Sequence, residues 1–446
     1  MTDQERELIA AVCEGFGPSA DGRVVLPLAG SRGVVVAVRV HRWFDGVAHR
    51  ARPWSNARVG AGQPAPQNRP ARRTLAHSVA SVGGASGGIA ARVSAAALAE
   101  AGEEVVDFEK LPSWNLARVA LSHLDGRVRS LLVKWPRTNV EREVGLGFLR
   151  TEIAALGYVN GIDSSLAPRL AWATDDLFAV EDLGHGRWLW DLLRAGDPRA
   201  ADAYRDFARV MARLHTSTVG MTDRWNDARR RAGLAPADPD PEAIDVSRWE
   251  WNLSAFEAVG IDARPSAQVD LDRVRSTLTR PGPFLAFSNG DPGANNFVAT
   301  DGGGRLIDFE YARCRHALVD AACLHVQHSV WMTIADPTPF GVVNVYRTEL
   351  AKHIPEAEDD ALFFDGIAGA AAMRAVQRLQ RFAKLDARPE GDESRRQMVA
   401  TLDAARTTLA GYRVLSDLGG WLEDVAATLR RRWPDADVAF PAFTVR

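Results

Sequence analysis

A chain of 446 residues, 46% hydrophobic and 25% charged, has material for two packed lobes and an appendage. Its three cysteines, Cys13, Cys314 and Cys323, have no metal-ligand spacing and make no disulfide framework, which suits a reducing compartment. No apolar run reaches membrane-spanning length, and the acidic start from Asp3 to Glu14 is unlike the positive start of a signal peptide, so a cytoplasmic protein without membrane contact is expected.

Charge is unevenly spread. Residues 1–92 hold twelve Arg against six acids, a net of +6, which leaves −9 for the rest of a chain whose total is −3. The stretch from Arg50 to Ala91 is rich in Arg, Pro, Gly, Ala and Ser, with little periodicity. A basic arm for nucleic acid is one reading, but the Arg residues are scattered, aromatic residues are few, and no nucleic-acid motif appears. Arg72-Arg73 lies too deep in the chain for a twin-arginine export signal. Residues 1–92 are therefore expected to form a basic extension, poorly ordered in part, with no nucleic-acid partner. The heavy Arg, Ala and Gly usage suggests a GC-rich coding sequence, and it admits the reading that part of this segment comes from a start site set too early.

Further along, Phe108 to Leu121 reads as strand, turns at Asp125-Gly126 and returns through Val128 to Leu131. Leu131-Leu132-Val133-Lys134-Trp135 is a buried strand carrying one Lys. The chain has only four lysines (Lys110, Lys134, Lys352 and Lys384), and an ammonium among apolar strand residues is costly to bury unless it is paired or snorkels to solvent. Val144 to Leu156 has helical spacing and brings Glu152 eighteen residues after that Lys. Leu177-Phe178 leads into Ala179-Val180-Glu181-Asp182-Leu183-Gly184. Phe207, Val210, Met211 and Leu214 recur at helical spacing, and His215 closes that helix as a C-terminal cap.

The densest chemistry lies in Ser288-Asn289-Gly290-Asp291-Pro292-Gly293-Ala294-Asn295-Asn296-Phe297, followed by Ile307-Asp308-Phe309-Glu310. A carboxylate, an amide five residues on and a second carboxylate twelve residues later are the inventory of phosphoryl transfer from a nucleotide. One Asp faces the acceptor hydroxyl, while an Asn and another Asp hold metal. Magnesium prefers such a small set of hard oxygen ligands. The apolar run Pro283 to Phe287 delivers Asp291 into a loop, and a hairpin turning at Asp301-Gly302-Gly303-Gly304 brings Asn296 and Asp308 toward one ion. The plainer reading is a hairpin whose Asp and Asn are ordinary turn formers.

This motif resembles the aminoglycoside phosphotransferase and choline kinase superfamily, which has a two-lobed protein-kinase-like fold. Members commonly read His-Gly-Asp, then four residues and Asn, then a hydrophobic residue before Asp-(Phe/Trp)-(Glu/Gly). The resemblance implies Asp291 as catalytic base, Asn296 and Asp308 as metal ligands, and Asp320 as a structural brace. It departs at Asn289, which replaces the His, and at Glu310, where protein kinases have Gly. In that fold a strand Lys holds the donor phosphates and pairs with a helix Glu, which assigns Lys134 and Glu152. There is no Gly-x-Gly-x-x-Gly, so Ser113 and Asn115 are the candidates for a polar loop over the nucleotide. Glu181 and Leu183 fall in the linker whose backbone meets the base.

The acceptor is less legible. Asp238, Asp240, Glu242 and Asp245 precede the catalytic loop, and Glu356, Glu358, Asp359 and Asp360 follow it. Clustered acids suit a cationic acceptor or a solvated face. Trp249 and Trp251 read as pocket walls or plain core.

The expectation is thus an α+β, bilobal protein-kinase-like fold. After the extension, residues 93–183 form an N-lobe of antiparallel sheet plus helix with the linker, and residues 184–446 form a mostly helical C-lobe. The expected activity is ATP- or GTP- and Mg2+-dependent phosphorylation of a hydroxyl on a small molecule, with the nucleoside triphosphate and that acceptor as partners. A second reading is a catalytically silent nucleotide-binding module acting through partners. Phosphorylation of a protein is disfavoured, because no segment ending in Ala-Pro-Glu follows.

Overall fold

The computed structural model of the chain describes residues 85–111, 115–123, 126–184, 186–236, 260, 265–326 and 340–437. Two compact units divide the chain, Met1–Thr74 with Thr138–Glu141, and Leu75–Arg137 with Arg142–Arg446. The elements below belong to the second.

The described part of the unit opens with helix α1 (Ala85–Ala101), followed by strands β1 (Glu104–Lys110), β2 (Leu116–Ser122) and β3 (Val128–Lys134). Helix α2 (Arg142–Asn160) comes next, then β4 (Leu170–Ala173) and β5 (Phe178–Glu181). The strands form one antiparallel sheet in the order β1-β2-β3-β5-β4. Strand β2 alternates as a two-faced strand must, with Ala117, Val119 and Leu121 fully buried and their neighbours partly open.

One face of the sheet, with Val119, Leu121, Leu131 and Val133, is covered by Val93, Ala96 and Ala97 of α1. The other face, with Leu132, Phe178 and Val180, joins the core that α2 shares. Helix α1 runs through residue 92, so the boundary drawn there from composition falls inside a helix whose Ala90 and Val93 are both buried. The Ala-rich run has strong helix formers but no apolar period to announce it. Phe108 to Leu121 likewise divides into two strands rather than one.

Beyond the linker lies a mostly helical lobe. It holds β6 (Arg187–Trp188), α3 (Leu189–Ala195), α4 (Ala200–Thr216), α5 (Thr222–Arg231) and α6 (Pro265–Thr279). Four short strands follow. Strand β7 (Leu285–Ser288) pairs with β10 (Arg313–His316), while β8 (Phe297–Ala299) lies between β6 and β9 (Arg305–Leu306). Among the described residues, helices α7 (Ala317–Ala321), α8 (Val342–Ala351), α9 (Asp360–Arg378), α10 (Phe382–Asp386), α11 (Glu393–Tyr412) and α12 (Ser416–Arg432) follow.

Phe207, Met211 and Leu214 of α4 pack with Phe287, Phe297 and Phe309, so the helix predicted from that spacing forms the floor beneath the motif loops. A separate core joins α6, α9, α11 and α12 around Leu271, Met373, Leu402 and Trp421. The architecture is the expected α+β arrangement, an antiparallel sheet with its helix followed by a mostly helical lobe. Among the described residues no helix is long and apolar enough to cross a membrane.

Candidate active site

Lys134 ends β3 on the face turned toward α2. Its Nζ lies 2.5 Å from Glu152 Oε2, 2.7 Å from Asp308 Oδ1 and 4.0 Å from Glu310 Oε2. One oxygen from each of these carboxylates falls within 4.8 Å of the others, a spacing at which like charges repel and call for a nearby cation. The Lys134 ammonium supplies it. Burial works to lower the Lys134 pKa, but Asp308, Glu152 and Glu310 together hold it above the ordinary range. Burial raises the Glu152 carboxyl against the pull of Lys134, with Asp308 adding to the rise. Burial also raises Glu310, followed by repulsion from Asp308, against Lys134 and Arg137. Arg137, three residues beyond the strand Lys, makes a direct ion pair with Glu310.

Asp308 has φ +63°, in the left-handed region that costs an L-residue about 1–2 kcal/mol. It follows the β8–β9 hairpin, in which Phe297 pairs with Leu306 and Val298 with Arg305. Asn296 stands immediately before β8, and the Ile307 N–H donates to its carbonyl at 3.0 Å. The expected hairpin therefore brings Asn296 and the residue preceding Asp308 into direct hydrogen-bond contact.

Asp291 sits in the loop after β7. Its N–H donates to Asn289 Oδ1 at 3.0 Å, and its carbonyl accepts from Asn296 Nδ2 at 2.8 Å. Asn296 Nδ2 also lies 3.4 Å from Asp291 Oδ2, and Asn296 Oδ1 accepts from Asn295 Nδ2 at 2.9 Å. Asn289 is buried and donates from Nδ2 to the Ile307 carbonyl at 3.1 Å. Gly290 between them has φ +86°, and a Cβ there would stand 1.9 Å from the Tyr311 carbonyl oxygen, so only glycine fits.

Asp320, on α7, ties this loop to the helices. Its Oδ1 accepts from Ser288 Oγ at 2.7 Å and from Arg315 Nε at 2.8 Å, and its Oδ2 meets His215 Nε2 at 3.2 Å. Burial alone would raise the Asp320 carboxyl, but Arg315 and His215 outweigh it and hold the group well below the usual carboxylate range. Ser288 Oγ in turn accepts the Gly290 N–H at 2.9 Å. His215 is fully buried, and its other nitrogen meets the Tyr346 hydroxyl at 2.8 Å. Its ring is therefore part of this network and not a helix cap, the cap position being Ser217. The spacing Phe207, Met211, His215, one turn apart each time, was the available signal that it faces inward.

Among the remaining expected residues, Asn115 is buried between β1 and β2, and its carbonyl accepts the Trp135 N–H at 3.2 Å. Ser113 lies outside the described residues, as do Asp238, Asp240, Glu242, Asp245, Trp249 and Trp251. Glu181 ends β5, and its carboxylate accepts the Arg169 N–H at 3.2 Å. Leu183 accepts the Gly186 N–H at 3.3 Å. Between them stands Asp182, which sequence reading passed over. Its carboxylate accepts from Arg118 Nε at 2.8 Å, Ser130 Oγ at 2.5 Å and the Gly184 N–H at 3.0 Å, so it fastens the linker to β2 and β3. Of the tail acids, Asp359 caps α9 through the N–H groups of Ala361 and Leu362, and Asp360 pairs with Arg347 at 2.6 Å.

The family model described as "Phosphotransferase enzyme family" matches residues 125–355, just over half of the chain. No curated protein matches the sequence. Among solved structures the chain is similar to an ethanolamine kinase of Plasmodium vivax, at 11% identity and a TM-score of 0.42 over 69% of this chain and 81% of that one. It is similar to a choline/ethanolamine kinase family protein of Mesorhizobium loti at 14% identity and a TM-score of 0.41, over 76% and 99%. A third likeness is to APH(2")-IIa in complex with gentamicin, at 12% identity and a TM-score of 0.39, over 70% and 94%.

Proposed function

We propose, for a chain that belongs to the phosphotransferase enzyme family, that it moves the terminal phosphoryl group of ATP or GTP to a hydroxyl of a small molecule. The acceptor would be of the aminoglycoside, amino alcohol, sugar or nucleoside-like class, and the protein would work in the cytoplasm. The observation that carries this reading is the single ion cluster made by Lys134 of β3, Glu152 of α2 and Asp308 beyond β9. Residues that distant in sequence converge on a charged centre that folding alone has little reason to build, because buried ion pairs add little net stability.

In this reading Lys134, positioned by Glu152, holds the donor phosphates. Asp291 orients the acceptor hydroxyl and accepts its proton as the new O–P bond forms and the bond to the departing nucleoside diphosphate breaks. Glu181 and Leu183 would offer backbone groups to the base, and Asn115 would stand by the phosphates. The donor set suits Mg2+, since Asn296 and Asp308 present an amide and a carboxylate oxygen, and Lys134 engages only Oδ1 of Asp308. Bound there, the metal would neutralise charge on the phosphates. Asn296 would do a second job, because its Nδ2 already steadies Asp291.

The test is release of ADP or GDP by the purified protein with Mg2+, with and without a pooled panel of aminoglycosides, amino alcohols, sugars and nucleosides. Acceptor-dependent release is expected, with loss of at least about 10³-fold in Asp291→Ala while nucleotide still binds. Near-normal turnover in that variant would remove the assignment of Asp291. Nucleotide binding without turnover across the panel would favour the silent module, and no binding at all would reject both readings.

A further inference from the structure

Four hydrogen bonds in the candidate site close a ring. The Asp291 N–H donates to Asn289 Oδ1 at 3.0 Å, and Asn289 Nδ2 donates to the Ile307 carbonyl at 3.1 Å. The Ile307 N–H donates to the Asn296 carbonyl at 3.0 Å, and Asn296 Nδ2 donates to the Asp291 carbonyl at 2.8 Å. The ring passes through the proposed base and one proposed metal ligand, and touches the backbone residue that leads directly into the other, Asp308. Asn289 is the one member that joins through its side chain and has no chemical task of its own.

We infer that Asn289 is a positioning residue that closes this ring and holds Asp291 in register with Asn296 and Asp308. The inference rests on the phosphotransfer reading above. A side-chain amide suits the place because its donor and acceptor sit side by side on one planar group, and neither titrates. Aspartate would keep the acceptor and lose the donor. A protonated imidazole would keep a donor and lose the acceptor. Asn289 is 1% exposed, so water has little access to replace either bond. Nothing in the ring touches Lys134, whose partners are Glu152, Asp308 and Glu310, so the ring is expected to govern the geometry of transfer and not the hold on the donor nucleotide.

Two variants of the full chain test this. Asn289→Leu keeps the size of the side chain and removes both bonds, while Asn289→Asp removes only the bond to Ile307. Backbone hydrogen exchange is read at Asp291 and Ile307, with β3 as the internal reference for global folding. Exchange is expected to quicken at Asp291 in Asn289→Leu, which takes the acceptor from that amide, and at Ile307 in both variants as opening the ring loosens its N–H bond to the Asn296 carbonyl, with β3 unchanged. Affinity for a non-hydrolysable ATP analogue with Mg2+ is expected to stay within about threefold, while kcat falls by about 10²-fold, the scale of a misplacement near 1 Å. Rescue of neither variant by added nucleotide or acceptor fits the same picture.

Unchanged exchange at both amides would overturn the inference, as would unchanged kcat, or a loss of nucleotide affinity that matches the loss of kcat. If Asn289→Leu loses protection in β3 as well, Asn289→Asp decides alone. If the parent chain shows no turnover, the phosphotransfer reading fails, while the exchange arm still accepts or rejects the ring.

Discussion

The Lys134 ammonium stands 2.7 Å from Asp308 Oδ1 and joins the sheet to the segment beyond β9. With Glu152 and Glu310 beside it, that cation faces three carboxylates, of which Arg137 also engages Glu310. Replacing it with an uncharged residue of similar length leaves the acids facing one another. Lys134→Met is therefore expected to cost about 3–5 kcal/mol near neutral pH, the scale of a broken buried pair, besides abolishing turnover. Burial already raises the Glu152 and Glu310 carboxyls, and without Lys134 they rise further. A carboxyl with a raised folded pKa binds more protons folded than unfolded, so the stability of the variant falls as pH rises and returns toward acid. Urea unfolding from pH 5 to 8 checks this. A variant that is equally destabilised at every pH would show that the carboxylates are not the cause.

Gly290 meets two separate demands. Its φ of +86° disfavours any side chain, and a Cβ would collide with the Tyr311 backbone, which cannot swing aside as a side-chain tip can. Gly196, which ends α3, has φ +60° but open space around it. Gly196→Ala is expected to cost about 1 kcal/mol, the backbone term alone. Gly290→Ala is expected to cost at least about twice that, since the clash adds to it. Paired urea titrations would separate the two, and equal losses would mean that the contact with Tyr311 relaxes freely.

His316 gives the fold an acid limit. Its ring stacks on Phe284 with centroids 5.1 Å apart, and Nδ1 accepts the Leu318 N–H at 3.2 Å at the start of α7. Burial, and then the nearby His215, push its pKa down to about 3. A histidine whose folded pKa is depressed supports the fold above its unfolded pKa near 6.5, and that support drains away as pH falls. Stability is expected to decline by about 1 kcal/mol per pH unit below that point from this residue. His316→Asn, which can still accept the Leu318 N–H but does not titrate, should flatten the decline. An unchanged slope in that variant would place the acid limit elsewhere.

Much of the site was legible because its chemistry imposes residue types at fixed intervals. The lone lysine on an apolar strand and a glutamate one helix later meet as expected, since a buried ammonium has to find a carboxylate. The hairpin between Asn296 and Asp308 is equally local, set by a glycine-rich turn. What escaped was tertiary. Asp182 carries no sign that Arg118 and Ser130 of two other strands will converge on it. Arg137 and Arg315 are two among many arginines until folding presents Glu310 and Asp320 to them. His215 sat on the apolar stripe of α4, yet a histidine at a helix end has a simpler local use, and that use hid the buried one. Helix α1 escaped for a different reason, having many alanines and no stripe.

That helix sets where this protein can be shortened. Val93, Ala96 and Ala97 roof the strip formed by Val119, Leu121, Leu131 and Val133, on the side of the sheet away from the ion cluster. Cutting the chain at the change in composition would split α1 and bare an apolar surface on a twisted antiparallel sheet, the kind of surface through which chains adhere. The proposed chemistry occupies one side of β3, and its solubility depends on what covers the other.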